Sequence, residues 1–231
     1  MSGFIDADTV TNLAWSASGN RYIADSVKWH VQNSETPDMV WVNWSGLNRV
    51  DWPLPVEMTP DFQSRSLSEN RVLGHTRYWS TGGAPFMGYP DFGVDTPLTR
   101  MMYQERAYRM IRRQNLWHIV RLQTFLRARG IEFVFTFMYD YTCKDWDYDH
   151  LQNRENGSHY AKGTCDAADP IYQMIDQSRV VSPAGLDWAY RQADGVITED
   201  GSHLTKTGME QRATQLRQNY QQRLTDSQKV L

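Results

Sequence analysis

The chain has 231 residues, of which 40% are apolar and 22% charged, and it carries a net charge of -3. These values describe a globular protein, exclude a fibrous or disordered one, and give no global attraction to nucleic acid or to anionic lipid. No apolar run is long enough to span a bilayer and the first residues lack the basic start of a signal peptide, so a soluble protein of the cytoplasm or of a virion is expected, without a membrane partner.

Residues 9–15 form the first apolar run and end in Ser16-Ala17-Ser18-Gly19-Asn20, which predicts a short buried strand entering a loop. A helix over residues 22–32 follows, because Ile23, Val27 and Val31 recur at helical spacing and Pro37 closes the connection. Met39–Trp44 is a second strand, β-branched and aromatic, running into the small-residue turn Ser45-Gly46-Leu47-Asn48. Two strands joined by a helix predict a right-handed crossover and a parallel sheet. Residues 52–97 hold six of the nine prolines and no sustained period. They are read as a long irregular excursion, of the kind that covers or builds a binding site.

Thr96-Pro97 offers an N-cap with proline at the first helical position, and a long helix runs from there to Arg129, ended by Gly130. Eight arginines fall between Arg100 and Arg129. Met101, Tyr108, Ile111, Leu122, Phe125 and Leu126 supply a buried stripe, which leaves the arginines on a solvated face rather than on a nucleic-acid surface. Residues 131–139 are the strongest strand, a nearly continuous apolar run of the kind buried on both faces of a parallel sheet. Asp140 and the polar segment to Asp169 follow its carboxyl end, the edge at which open α/β sheets bind ligands. Short helices are predicted over 170–178 and 183–193, and a last amphipathic helix over 206–224. The whole, residues 1–231, is read as one domain, with 52–97 as its insertion and 140–169 as a loop beside the site.

The most specific chemical signal is Asp200-Gly201-Ser202-His203-Leu204-Thr205, a loop leading into the last helix. Asp200 and His203 are close enough in sequence for the carboxylate to hold the imidazole in one tautomer and to stabilise its protonated form. Cys143, His150, His159 and Cys165 have ligand chemistry, but their spacings match no zinc pattern, so no metal and no cofactor are expected. The two cysteines are free or paired. Asp145, Asp147 and Asp149 alternate like the start of a calcium loop, yet His150 stands where glycine is needed. Nine Trp and twelve Tyr are many for this length, and they are read chiefly as packing loops onto the core, with stacking on sugar rings as the alternative.

The block Asp200-Gly201-Ser202-His203-Leu204-Thr205 with Gly208 resembles the C-terminal block of the SGNH (GDSL-like) hydrolases. Asn12-Leu13-Ala14-Trp15-Ser16-Ala17-Ser18-Gly19-Asn20 is similar to that family's second block, and Trp44-Ser45-Gly46-Leu47-Asn48-Arg49 to its third, with Arg49 in place of the usual Asp. The likeness is greatest to divergent members in phage and bacterial genomes. It implies a flavodoxin-like three-layer α/β sandwich with a mostly parallel sheet. It further implies a serine ester hydrolase in which His203 is the base, Asp200 its orienter, and Gly19 and Asn48 oxyanion donors. The substrate expected is a small-molecule or glycan ester, such as an O-acetyl group, with no nucleic-acid partner and an oligomeric state left open.

The family's nucleophile lies in a Gly-Asp-Ser-like block upstream of the second block, and only eleven residues precede Asn12 here. The nucleophile is therefore unknown. Either the gene product starts further upstream, which is the favoured reading, or the chain is an inactive relative serving as a glycan-binding or structural, even virion, module.

Overall fold

A computed structural model describes residues 9–15, 18–47, 49–57, 68–69, 72–80, 105–138, 141, 167–181 and 204–228. Helix α1 spans Asn20–Asn33 and leads into strand β1, Met39–Trp44. Three short strands follow: β2 (Asp51–Pro55), β3 (Ser68–Glu69) and β4 (Thr76–Ser80). The long helix α2, Glu105–Arg127, precedes strand β5, Glu132–Phe137. A single turn of helix, α3 (Pro170–Gln173), a 3-10 turn at Gln177–Arg179 and the terminal helix α4, Lys206–Gln228, complete the described elements.

Strands β1 and β5 pair in parallel, with Met39 opposite Glu132 and Trp44 opposite Phe137. On the other side of β5, Val180 forms a parallel bridge with Phe135. The parallel pairing is as expected, although the crossover expected between residues 9–15 and 39–44 is not the one formed, and the fold is mixed α/β. Strand alternation divides the side chains into two sets. Val40, Val42, Trp44, Phe133, Phe135 and Phe137 face the core shared with α1 and α2. The apolar stripe of α2 fills this core with Leu116, Ile119, Val120, Leu122 and Leu126, all nearly inaccessible to solvent. On the opposite face Trp41 meets Tyr220 of α4 edge-on, with ring centroids 5.7 Å apart. Within the described residues the parallel pair is thus met by helices on both faces.

Two expectations are corrected. Residues 9–15 form no strand: Val10 and Trp15 are each 47% exposed, and Leu13 alone of this run packs against the core. Asn12 supplies the competing local structure, its side-chain oxygen accepting the Ala14 N–H at 3.0 Å. The stretch 52–97 is not irregular throughout, since β2, β4 and β3 form an antiparallel sheet in that order. Pro53 and Pro55 lie opposite Tyr78 and Thr76 on β2, an edge strand, which is where a residue without an N–H can sit in a sheet. Gly74, at φ +59, makes the tight turn between Leu73 and Thr76, whose backbones exchange hydrogen bonds of 2.9 and 3.0 Å.

The predicted helix over 96–129 is described from Glu105, and residues 96–104 lie outside the described residues, as do 183–193. The last helix runs to Gln228, and its inner face carries Gly208, Arg212 and Tyr220 rather than a purely apolar stripe.

Candidate functional site

The carboxyl ends of β1 and β5 meet the N-terminus of α1, and buried polar side chains gather there. Asn20, fully buried, clamps the turn after β1: its side-chain oxygen accepts the Ser45 N–H at 2.8 Å and its amide donates to the Ser45 carbonyl at 3.3 Å. The Tyr141 hydroxyl donates to the same carbonyl. Ser45 Oγ and Trp44 Nε1 are buried without a hydrogen-bond partner among the described residues. Buried polar atoms of that kind are uncommon and mark a place where the fold retains polarity at a cost.

The turn itself is held from α2. The Asn115 amide lies 3.0 Å from the Leu47 carbonyl, 2.9 Å from that of Arg49 and 3.0 Å from that of Ile111, so its two protons are shared among three acceptors. Arg49 in turn donates to the Ser18 carbonyl at 3.0 Å, tying the third block to the second. The neighbours of Asn48 on both sides are therefore fixed to one helix.

Gly19 is the N-cap of α1 and has no side chain with which to cap it. Asp51, at the start of β2, does so from a distance: Oδ1 accepts the Gly19 N–H and Oδ2 the Tyr22 N–H, each at 2.9 Å. A buried carboxylate at a helix N-terminus is favoured both by the orphan donors and by the helix dipole. The approach is so close that a Cβ on residue 19 would stand 2.5 Å from the carboxylate, so only glycine fits. The Gly19 N–H can reach an oxyanion only if Asp51 is displaced.

Of the residues singled out from the sequence, Gly19 lies in this cluster, while Asn48, Asp200 and His203 lie outside the described residues, as do Ser16 and Asp140. Ser18 is buried, its hydroxyl donating to the Trp15 carbonyl at 2.9 Å. The suspected ligand sets around Cys143 to Cys165 and Asp145 to Asp149 also lie outside, and among the described residues no group of His, Cys, Asp and Glu could hold a metal ion. Asn20, Asp51, Asn115 and Tyr141 carry the architecture of the cluster and were not singled out. A single asparagine within an apolar helical stripe, as at 115, is the one such signal the sequence offered.

The start of α4 is capped by Thr205, whose hydroxyl accepts the Gly208 N–H at 3.0 Å. Further along α4, Tyr220 lies against Trp41 in mid-strand, and Arg223 donates to the Gln177 carbonyl at 2.7 Å and to that of Val180. Gln177–Arg179 lies at the amino end of β5, where Arg179 pairs with Glu132. The helix therefore descends toward the amino ends of the strands, and its N-terminus points to the carboxyl edge. Among the described residues no helix is long and apolar enough to cross a membrane. No protein-family profile, curated protein or solved structure matches the chain.

Proposed function

We propose that the chain is an SGNH-type module with flavodoxin-like strand order, acting as a serine ester hydrolase on a small-molecule or glycan ester such as an O-acetyl group. The observation that carries this reading is the direction of α4: its N-terminus, three residues after His203 in the chain, is directed to the edge where Gly19 and the turn preceding Asn48 converge. In the proposed mechanism His203 takes the proton of a serine nucleophile, Asp200 orients the ring, and Asn48 with Gly19 donates to the tetrahedral oxyanion. The Ser45 and Asn115 contacts hold the oxyanion loop in place, which is the preorganisation that such a site requires.

One observation favours a second reading. The Gly19 N–H is already engaged by the Asp51 carboxylate, as suits a catalytically inactive relative that binds glycans or packs into a larger assembly. Hydrolysis of p-nitrophenyl acetate, combined with labelling by a fluorophosphonate probe and mapping of the labelled serine, separates the two. The hydrolase reading expects turnover that falls by about 10⁴ on His203→Ala and by about 10² to 10³ on Asn48→Ala. A well-folded protein with neither labelling nor turnover, or with turnover indifferent to His203, leaves the binding module.

A further inference from the structure

Ser45 differs from its neighbours at the carboxyl edge: its backbone is fixed on both sides and its hydroxyl is left unused. The Ser45 N–H donates to Asn20 Oδ1 at 2.8 Å, and its carbonyl accepts from the Asn20 amide at 3.3 Å and from the Tyr141 hydroxyl. Asn20 and Tyr141 are themselves buried, so these bonds form out of water. Ser45 is 5% exposed, and its Oγ has no hydrogen-bond partner among the described residues. Nearby serines behave otherwise: Ser18 and Ser26 turn their hydroxyls onto the Trp15 and Ile23 carbonyls, each at 2.9 Å. A buried hydroxyl without an acceptor lowers stability, and its presence at the end of a parallel strand, where open α/β sheets bind ligands, points to a task other than folding.

The same turn carries the proposed oxyanion donor. The Arg49 N–H donates to the Gly46 carbonyl at 3.3 Å, closing a turn over residues 46–49 that contains Asn48, and Asn115 holds the Leu47 and Arg49 carbonyls. Gly19, the other proposed donor, is one residue from the Asn20 clamp on Ser45, but its N–H is engaged by Asp51 Oδ1 at 2.9 Å. One assigned donor is therefore occupied and one unassigned donor is idle. An oxyanion exists only in the transition state and the intermediate, so a donor held for it has no acceptor in the resting protein. Burial strengthens such a donor, because the charge it meets develops in a low dielectric.

We propose that the Ser45 hydroxyl, in the place that Gly19 cannot take while Asp51 holds its N–H, donates with Asn48 to the oxyanion of the proposed reaction. The inference rests on the ester-hydrolase reading. As the nucleophile's oxygen bonds to the acyl carbon, the carbonyl electron pair moves onto its oxygen, and Ser45 meets that charge with its O–H while keeping its proton. The pair returns when the alcohol departs, its oxygen taking the proton from His203. Ser45 thus makes no covalent bond.

The test compares wild type with Ser45→Ala in p-nitrophenyl acetate hydrolysis, inhibition by phenylboronic acid, and thermal unfolding. Turnover is expected to fall by about 10² to 10³ with KM little changed. Phenylboronic acid, which forms a tetrahedral anion resembling the intermediate, should bind more weakly by the same factor as kcat/KM falls. The thermal midpoint should stay level or rise, because the variant deletes an unpaired buried hydroxyl and no hydrogen bond. Ser45→Cys, which keeps the shape with a weaker donor, should fall between the two, and it stands in if the alanine variant does not fold. Unchanged turnover in a folded variant overturns the inference and leaves the hydrolase reading standing. A midpoint that falls together with kcat assigns Ser45 to the fold instead, and a fluorophosphonate label mapped to Ser45 makes it the nucleophile; either overturns the proposal. Wild type with neither turnover nor labelling removes the hydrolase reading and this inference with it.

Discussion

Gly19 and Asp51 depend closely on one another. A methyl group at residue 19 would collide with the carboxylate that caps α1, while removing Asp51 leaves the Gly19 and Tyr22 N–H groups buried without their acceptor. Gly19→Ala is expected to cost about 1 to 3 kcal/mol, and Asp51→Ala a similar amount. The two are not additive: in the Asp51→Ala background the cost of Gly19→Ala should fall to a few tenths, on the order of 0.5 kcal/mol, as a double-mutant cycle by urea unfolding would show. Additive losses would mean that the collision is relieved elsewhere. His118 supplies a second residue-scale test. Its imidazole is held down to about 4 against an ordinary 6.5, first by burial and then by Arg21, Arg121 and Lys28, with Asp25 opposing them. Because the folded value lies below the unfolded one, the unfolded chain takes up the proton first as the pH falls. The stability is therefore full above about 6.5, is lost between there and about 4, and is level below. The loss amounts to no more than about 3 kcal/mol, reduced by the solvent that reaches the ring. Urea midpoints measured at pH 7.5, 6 and 4.5 should decline more steeply for the wild type than for His118→Gln.

Among the elements, the strands that run as continuous β-branched and aromatic stretches were legible, and the one that did not form was an apolar run only in part. Met39–Trp44 is the strand expected, and Glu132–Phe137 lies within the expected 131–139. Residues 9–15 alternate Thr, Asn and Ala among their apolar members, and Asn12 can satisfy a neighbouring N–H by itself, so a local turn competes with a strand that has only Leu13 to bury. β2 was hidden by its prolines, which mark an edge strand and not a loop when they fall on alternate residues. Of the predicted site residues only Gly19 is described, and the polar network around it was not legible. Asn20 and Ser45 are 25 positions apart and meet only because α1 returns to the end of β1, and Asn115 looks like one more polar residue on a helix until its three carbonyl partners are seen. Asn115→Ala is expected to cost about 1 to 3 kcal/mol, since buried carbonyls lose their donor. It should also raise amide exchange at Leu47 and Arg49 while leaving β5 protected. Uniform loss of protection would show that Asn115 supports the whole core and not the turn.

At the scale of the molecule, the two faces of the parallel pair are covered differently among the described residues. α1 and α2 share a continuous apolar core with β1 and β5, whereas α4 meets the other face through Trp41–Tyr220 and through Arg223 bonding to the Gln177 and Val180 carbonyls. A half-exposed helix held through polar contacts has a lower local opening free energy than a packed core. In native-state hydrogen exchange, α4 is expected to open as a unit at a smaller free energy than α2 or β5. Tyr220→Ala should widen that gap by about 1 to 2 kcal/mol, by deleting an aromatic pair and its buried area, with little change in the global transition of the α2 core. The same variant bears on the proposed chemistry, because Tyr220 lies about four helical turns along α4 from its start and is not one of the proposed reacting groups. If α4 positions that loop at the carboxyl edge, Tyr220→Ala lowers kcat by roughly tenfold, as misplacement of a base does, and leaves fluorophosphonate labelling in the same ratio to turnover. An α4 that exchanges together with the core, or activity untouched by its loosening, would mean that the helix does not hold the base in place, and the case from its direction would fall with it.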